Sequence, residues 1–559
     1  MRAVGASGEG SMESAALILT GGNVLTMDAE RPQVQAIAVS REGRVLAAGS
    51  DDEVRHLATA GTCRVALRGR TLLPGFFDCH MHLRWLGVNL GHVDLSPSVV
   101  RDREEIIQRL RRRLEEQPGI PCIQGTGYDQ NRLPDGQHLT RYDLDRVSTV
   151  LPVRVVHTSG HAAVVNTRAL QMLGYTRDTP DPVGGQIVRD AQGEPTGLLL
   201  EAASWERLER IVPEPTREEV VEALGRASRY LLERGITSAT DACTEPGEIE
   251  WYAQAVARNV LQVRTNLMVH WATVVHQAGE GASPRPEEMQ PKTYGVNGHR
   301  LHVGQAKLFA DGAITTRTCY LKEPFHDPPG DHRGILLHPP EELLHLIVLA
   351  HEAGWQIATH AIGDAAIRLV LDCYAEAQRR HARQRPDHRI EHCMLLDPDL
   401  IARLRRQNVW AIGQPEFLAR LGDAYVTALG EERADRLSPY ATLDARGVAQ
   451  AFSSDNPVVP GAPLDGLRAA MERRTLAGRV LNPSERLSAE AALYAYTAAP
   501  AFASRVERDR GTLAPGKWAD CVLLSADPLT TPLEEWERLQ VEATFVGGAC
   551  LYGAEKLEG

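Results

Sequence analysis

The sequence is poor in aromatic residues and has no paired cysteine motif. Aromatic residues make up 5% of the 559 residues. The nine cysteines are scattered, and none forms a C-x-x-C pair. An odd, unpatterned set of this kind argues against a disulfide framework and is typical of reduced thiols in a cytoplasmic protein. We therefore expect a cytoplasmic location.

Long apolar runs and long basic runs are also lacking. The apolar run AALIL near the N-terminus is far too short for a signal-peptide core or a membrane span. The formal net charge is −12, and the basic stretch RLRRRL at 109–114 is typical of a solvated helix face. Nucleic-acid binding needs a basic surface. We therefore expect a small-molecule substrate and neither nucleic acid nor a membrane as partner, with a homodimer left open.

Both ends of the chain have the composition of short strands joined by glycine turns. The segments AIAVSREGRVLAAG and LAPGKWADCVLL are examples, one from each end. This pattern predicts a small β-sandwich built from residues 13–70 and 505–559. The Gly/Ser-rich residues 1–12 are predicted to be disordered.

Between these ends, residues 71–504 contain eight apolar runs separated by helix-like segments. Apolar strands that alternate with helices are typical of a parallel sheet covered on both faces. We therefore predict an α/β fold, a (β/α)8 TIM-type barrel. The runs are RTLLPGFFDCH (70–80), GITSATDA (235–242), LQVRTNLMVH (261–270), HVGQAKLFADG (302–312), WQIATHAIG (355–363), HRIEHCML (388–395), VWAIGQPEF (409–417) and VAQAFSSDN (448–456).

The first and second of these runs are separated by about 150 residues, which is far longer than an ordinary loop. This gap must carry its own structure. We predict an inserted subdomain at about 83–234 that leans over the mouth of the barrel.

Residues able to bind a metal stand at the ends of the predicted strands. His80 and His82 are two positions apart, so on a strand their side chains point to the same face. A parallel barrel gathers the carboxyl ends of its strands on one face, where barrel enzymes place functional groups. Two imidazoles aimed together into that mouth are a good start to a zinc site.

Three more strand ends extend this set. His360 and His392 end successive predicted strands, and Asp455 ends the eighth. Each has a structural alternative: a core histidine bonded to a backbone carbonyl, or a turn aspartate before Asn-Pro. Their order after the His-x-His pair favours metal ligation. Asp455 is predicted both to ligate the metal and to accept a proton from water.

Lys307 ends the fourth predicted strand and does not suit a metal site as an ammonium. A cation close to a divalent ion is repelled, and burial disfavours its charge further. A lysine carbamate, formed with CO2, would instead be an anionic ligand able to bridge two metals. The alternative is an ion pair between Lys307 and Asp311.

These motifs together resemble the amidohydrolase superfamily. Within it they resemble the family 3 group, which includes N-substituted formamide deformylases and many uncharacterised metal-dependent hydrolases. LLPGFFDCHMHL, KLFADGAI, HAIGD, RIEHC and SSDNP are similar to its strand-end motifs, and LAPGKWADCVLL is similar to its terminal sandwich. The resemblance implies a more buried metal, a more exposed metal and a carboxylated lysine between them. The implied ligands are His80, His82 and Asp455, then His360 and His392, with Lys307 as the bridge.

Several further residues are candidates for contact with substrate. His161 is predicted to hold the substrate carbonyl oxygen; the alternative is a histidine that caps the following helix. Arg317 would bind an anionic group of the substrate, or form a salt bridge within its loop. Trp85, Tyr128 and Phe417 lie near strand ends and would line an apolar pocket, although core packing is the default role of such residues.

The sequence therefore predicts a metal-dependent hydrolase that cleaves the C–N bond of an amide, N-formamide or related carbonyl compound by metal-activated water. The expected cofactor is one or two zinc ions, with iron or manganese as alternatives. A deaminase or an ester or carbamate hydrolase on the same scaffold is the enzymatic alternative. A non-catalytic sensor or regulatory protein is the alternative from another class, although the full ligand set argues against it.

Overall fold

The computed structural model describes residues 14–182, 184–278, 292–294 and 300–557. The chain divides into two units. One contains the residues up to Phe77, Leu231–Thr237 and those from Thr497 onward, and the other contains Asp78–Tyr230 and Ser238–Tyr496. The predicted disorder of residues 1–12 lies outside the described residues, and the predicted domain boundaries stay predictions.

A nearly closed barrel of eight parallel strands confirms the predicted fold class. Each of the eight apolar runs overlaps one barrel strand. In chain order, which is also the order around the barrel, the strands are Phe76–Met81, Ile236–Thr244, Arg264–His270, Leu301–Phe309, Gln356–Ala361, Arg389–His392, Trp410–Gly413 and Gln450–Phe452. A short strand, Lys292–Tyr294, pairs with the fourth from outside this order.

Hydrogen bonds just beyond the eighth strand join it to the first. The Asp455 backbone N–H donates to the His80 carbonyl oxygen at 2.8 Å, and the His82 N–H donates to the Asn456 carbonyl oxygen at 2.8 Å. The first and eighth strands are thus held in register at their carboxyl ends, where both carry predicted metal ligands.

The first apolar run differs from the prediction because it forms two strands rather than one. Thr71–Pro74 pairs with Asn23–Leu25 and Cys521–Leu524, whereas Phe76–Met81 belongs to the barrel. Gly75 separates them, and a Cβ there would lie 2.2 Å from the side chain of Thr237. The close approach requires glycine at the point where the chain leaves one sheet for the next.

The segment inserted after the first barrel strand forms a sheet of its own. Its core includes Leu95, Ile123 and Val155, which pack with residues of the helix Arg103–Glu116. In spatial order its strands are Gly185–Arg189, Pro195–Glu201, Ala162–Val165, Val153–His157, Ile123–Tyr128 and Val93–Asp94.

Two further sheets are formed by the ends of the chain, the first from N-terminal strands alone and the second from strands of both ends. Their facing apolar side chains, among them Leu19, Val39, Leu72 and Phe545, form one buried cluster. The first sheet has the order Val45–Gly49, Ala36–Val39, Ala15–Thr20, Ala58–Ala66. The second has the order Ala549–Tyr552, Val541–Val546, Cys521–Leu524, Thr71–Pro74, Asn23–Leu25, Gln33–Val34.

Helices occupy most of the connections between the barrel strands. The helix Arg217–Leu232 begins after Thr216, whose hydroxyl accepts from the Glu219 N–H at 3.3 Å. No helix in the described part of the chain is both long enough and apolar enough to cross a bilayer. The other α-helices are Asp51–Arg55, Leu83–Asn89, Arg103–Glu116, Arg141–Asp145, Thr167–Leu173, Ala202–Trp205, Ile249–Ala257, Trp271–Ala278, Pro340–Glu352, Asp364–Arg380, Pro398–Gln407, Pro415–Leu429, Glu431–Ala434, Tyr440–Ala445, Pro463–Glu472, Ala489–Tyr496 and Ala498–Ala503.

Candidate metal centre and active site

The structure brings His80, His82 and Asp455 together at the mouth of the barrel. Asp455 Oδ1 lies 3.3 Å from His80 Nε2 and 3.2 Å from His82 Nε2. One donor atom from each residue lies within 4.8 Å of the others. Asp455 Oδ1 is buried and has no hydrogen-bond partner. Three donor atoms that converge without bonding one another fit a divalent metal ion, which would satisfy all of them.

The backbone that presents these ligands is unusual. Asp455 has φ of +58°, and His392 and Cys393 have φ of +69° and +46°. Non-glycine residues in this left-handed region cost about 1–3 kcal/mol each and persist where surrounding contacts hold them. For Asp455, the bond of its N–H to the His80 carbonyl is such a contact. Strain thus accompanies the chain reversals that aim these side chains into the mouth.

His360 and His392 lie beside the first three ligands. The His392 ring centroid is 4.4 Å from that of His360 and 4.9 Å from that of His80. His392 Nδ1 is 3.0 Å from Gln414 Oε1, which fixes the orientation of the ring. Burial lowers the pKa of His392 to about 3 and that of His360 well below its usual value. Both imidazoles are therefore neutral, which is the form that binds a metal.

Lys307 is fully buried, and its Nζ has no hydrogen-bond partner. Nζ lies 4.6 Å from the centroid of the Phe309 ring. The alternative ion pair with Asp311 does not form, because that carboxylate accepts from the backbone N–H groups of Tyr320, Ile362 and Gly363 at 2.8, 3.0 and 2.9 Å. Burial lowers the pKa of Lys307. An ammonium in this position would be a buried charge without a hydrogen-bond partner, which is unfavourable.

A buried ion pair that the sequence did not reveal holds His80 from behind. Glu391 Oε2 makes a short hydrogen bond to His80 Nδ1. Arg389 donates to the same carboxylate through Nε at 2.5 Å and Nη2 at 2.9 Å. Burial raises the pKa of Glu391, but Arg389 and His80 outweigh it and hold the pKa far below its usual value. The carboxylate therefore stays ionised and accepts a hydrogen bond from Nδ1–H of His80. This tautomer leaves Nε2 free for a metal.

A second carboxylate, Glu201, positions His161 from the inserted sheet. Glu201 Oε2 lies 2.8 Å from His161 Nδ1, and Oε1 accepts from the Thr318 hydroxyl at 2.6 Å. Glu201 is fully buried, with φ of +47°. A Cβ on Gly312 would lie 2.7 Å from Glu201 Oε1 and 2.2 Å from Thr318 Oγ1, so this close packing requires glycine.

His161 faces the candidate metal centre. Its ring centroid is 5.8 Å from that of His360. Burial lowers the pKa of His161, but the charge and hydrogen bond of Glu201 outweigh it and raise the pKa above its usual value. His161 is thus protonated more readily than a free imidazole, in contrast to His360. The predicted alternative, a cap of the following helix, is contradicted because Asn166 occupies the cap position.

One cavity of about 580 Å³ joins these groups. Its apolar wall includes Trp85, Trp205, Phe309 and Leu337. Its polar lining contains the predicted ligands His80, His82, Lys307, His360, His392 and Asp455, together with His161 and Glu201. The predicted ligand set and the predicted position of Trp85 thus meet in one space large enough for a small organic substrate.

The other substrate-contact predictions fall elsewhere. Tyr128 is 1% exposed, and its hydroxyl lies 2.9 Å from His138 Nδ1, so it does not line this cavity. Arg317 lines a different cavity and pairs with Asp327 at 3.2 Å, in agreement with the alternative of a salt bridge within its loop. Phe417 is buried and stacks against His392 with ring centroids 6.2 Å apart. Phe417 therefore packs against a predicted metal ligand.

With this geometry in place, comparison with known proteins identifies the family. A family model described as the amidohydrolase family matches residues 64–552. The chain belongs to this family. The YtcJ protein of Bacillus subtilis (strain 168) is 32% identical over 541 residues, which cover 95% of this chain and 98% of YtcJ. The N-substituted formamide deformylase of Arthrobacter pascens is 29% identical over 545 residues, which cover 96% of this chain and 98% of that enzyme.

Solved structures agree with this assignment. An uncharacterised metal-dependent hydrolase from Pyrococcus horikoshii has a TM-score of 0.74 at 28% identity, covering 93% of this chain and 99% of that one. Another, from Pyrococcus furiosus, has a TM-score of 0.71 at 29% identity, covering 92% of this chain and 100% of that one. This amidohydrolase family member is therefore a hydrolase that uses a divalent metal.

The ion pair behind His80 generates a first prediction. Glu391→Gln removes the charge that orients His80, so we expect metal affinity to fall about 10–100-fold. The measurement is competition with a chromophoric chelator during metal loading. Glu376→Gln is the matched control, because Glu376 pairs with Arg379 and Arg380 on a helix surface. Equal affinity of both variants and the parent protein would contradict the role given to Glu391.

Proposed function

We propose that the protein hydrolyses the C–N bond of a small amide, N-formamide or related carbonyl compound in the cytoplasm. The convergence of His80, His82 and Asp455 within 4.8 Å of one another carries this proposal. The similarity to an N-substituted formamide deformylase over nearly the whole chain supports a carbonyl–nitrogen substrate. Zinc is the metal that we propose, because a cluster of imidazoles and one carboxylate suits it, although iron and manganese accept the same donors.

Asp455 is the general base in this proposal. A divalent metal bound here would polarise the substrate carbonyl and lower the pKa of water to about 7. Burial raises the pKa of Asp455, but the neighbouring imidazoles of His80 and His82 outweigh it and hold the pKa well below its usual value. Asp455 is thus ionised and ready to accept the proton of the attacking water. It would then pass that proton to the leaving nitrogen.

His161 and Glu201 would act on the carbonyl oxygen. Glu201 holds Nδ1 of His161, and its negative charge favours the imidazolium. The cationic ring lines the cavity near His360. A hydrogen bond from Nε2 would strengthen as negative charge develops on the substrate oxygen, which is the condition for lowering the barrier. Glu201 is the positioning residue in this pair.

Lys307 is proposed to be carboxylated. Its buried Nζ has no hydrogen-bond partner, and burial favours the neutral amine. The neutral amine would add to CO2 and release one proton, which gives a carbamate of charge −1. Two dications with one carbamate, one aspartate and one hydroxide leave a net charge of +1, whereas an ammonium at this position leaves +3. The carbamate therefore permits two metal ions, and the ammonium disfavours the second.

A substrate panel tests the proposed reaction. We expect the metal-loaded protein to release amine and carboxylate from N-substituted formamides or other small amides. Amine and ammonia are measured separately, beside matched esters and carbamates. Release of ammonia without cleavage of any amide would instead identify a deaminase. Turnover of esters without amides would assign the scaffold to ester hydrolysis.

A substitution at Asp455 tests the proposed base. Asp455→Asn keeps an oxygen donor but cannot accept the proton, so kcat should fall about 10²–10⁴-fold. Metal content is measured on the same sample by plasma mass spectrometry, so that loss of metal is distinguished from loss of the base. Turnover near that of the parent protein, with metal still bound, would rule out Asp455 as the base.

Carboxylation of Lys307 has its own test. Protein loaded with metal in the presence of 13C-bicarbonate should show one carbamate carbon by NMR that is missing from Lys307→Met. Lys517, which is half-buried in the other unit, offers the matched control Lys517→Met and should leave the signal unchanged. The absence of the signal in the metal-loaded parent protein would show an ordinary amine.

A further inference from the structure

A second group of donor side chains lies at the ends of the second and third barrel strands. Cys243 and Glu245 are two positions apart at the end of Ile236–Thr244, and His270 is the last residue of Arg264–His270. The spacing of Cys243 and Glu245 repeats that of His80 and His82 on the first strand. The neighbouring strand ends thus carry two sets of donors in the same kind of position.

The three side chains converge as those of the first centre do. One donor atom from each of Cys243, Glu245 and His270 lies within 4.8 Å of the others, and all three residues are half-buried. His270 Nδ1 is 3.1 Å from Glu245 Oε1. Donors around one tetrahedral zinc ion are about 3.4–3.8 Å apart, given metal–donor bonds of about 2.0–2.3 Å. Side-chain adjustments of about 1 Å would therefore bring the set to zinc geometry.

Charge also fits a dication at this position. Cys243 as a thiolate and Glu245 as a carboxylate neutralise a divalent ion, and His270 adds a neutral donor. The Arg84 guanidinium, which lines the same cavity, is paired with Glu248 at 3.2 Å, so its charge is largely compensated. Binding would form a sulfur–metal bond and release the thiol proton to solvent, with no change of oxidation state.

The same residues do not suit a cysteine nucleophile. Burial raises the pKa of Cys243 to about 12, so the thiol is protonated in the absence of a metal. A reactive cysteine needs a surrounding that lowers its pKa. His270 Nδ1, moreover, is engaged by Glu245 and by the Thr273 hydroxyl at 2.8 Å. The convergence of sulfur, oxygen and nitrogen donors within 4.8 Å instead favours a metal-binding role.

We propose that Cys243, Glu245 and His270 bind a thiophilic divalent ion such as zinc, at a site separate from the His80, His82 and Asp455 centre. All three residues line the cavity that contains the first centre. An ion held there would be within reach of a molecule in the substrate cavity. Its open coordination position would accept a donor atom of that molecule.

Cobalt substitution tests this site without an activity assay. The metal-free protein is titrated with Co2+ and followed in the near ultraviolet, where a thiolate–cobalt bond gives an intense charge-transfer band. The predicted ligands of the first centre provide only nitrogen and oxygen donors. The parent protein should show the band and bind one cobalt ion more than Cys243→Ser, which should lack the band. Cys63→Ser, at an exposed cysteine, is the matched control and should keep it.

Two further variants make the outcome decisive. Asp455→Ala weakens the first centre and should keep the thiolate–cobalt band. Loss of the band in Asp455→Ala would assign Cys243 to the first centre and overturn the proposal. Glu245→Gln removes one anionic donor while keeping the thiol, and the band should then need at least tenfold more cobalt. This variant serves if Cys243→Ser fails to fold. A parent protein that fills with cobalt and shows no thiolate band would also overturn the proposal.

Discussion

The closing contact between the first and eighth barrel strands is the constraint on which the candidate centre depends. The Asp455 N–H to His80 carbonyl bond joins residues 375 positions apart, from the beginning and the end of the barrel. It fixes the register that brings the Asp455 carboxylate to the imidazoles of His80 and His82. Without it, these donors would belong to separate strand ends, and the left-handed backbone at Asp455 would have no compensation.

Buried carboxylates then determine what each imidazole can do. Arg389 keeps the Glu391 carboxylate ionised. Glu391 in turn bonds Nδ1 of His80, which leaves Nε2 available for a metal. Among the described residues, Glu201 has no such arginine, and it instead raises the pKa of His161. His360 and His392 receive no carboxylate hydrogen bond in the described structure, and burial lowers their pKa values. The histidines of a single cavity thus differ in their readiness to take up a proton, because the partner of each ring differs.

Much of this arrangement was predictable because it follows the strand pattern. Apolar runs locate all eight barrel strands, and polar residues at their ends give the candidate ligands in order. The supporting carboxylates were harder to predict. Glu391 lies inside a short strand, where its sequence position does not reveal its partner. Glu201 reaches His161 only because the insertion folds as it does. Tyr128 and Arg317 look equally suitable from their positions near strand ends, but side-chain direction places Arg317 at another cavity and buries Tyr128 against His138. Direction of this kind depends on tertiary contacts that local sequence does not encode.

The glycine at position 312 limits how this scaffold can be re-engineered. Its missing side chain makes room for Glu201 from the insertion and Thr318 from the loop after the fourth strand. A designer who grafts the insertion of another relative onto this barrel would therefore have to transfer residues 312–318 with it. The insertion and that loop form one exchangeable module, although more than a hundred residues separate Glu201 from Gly312.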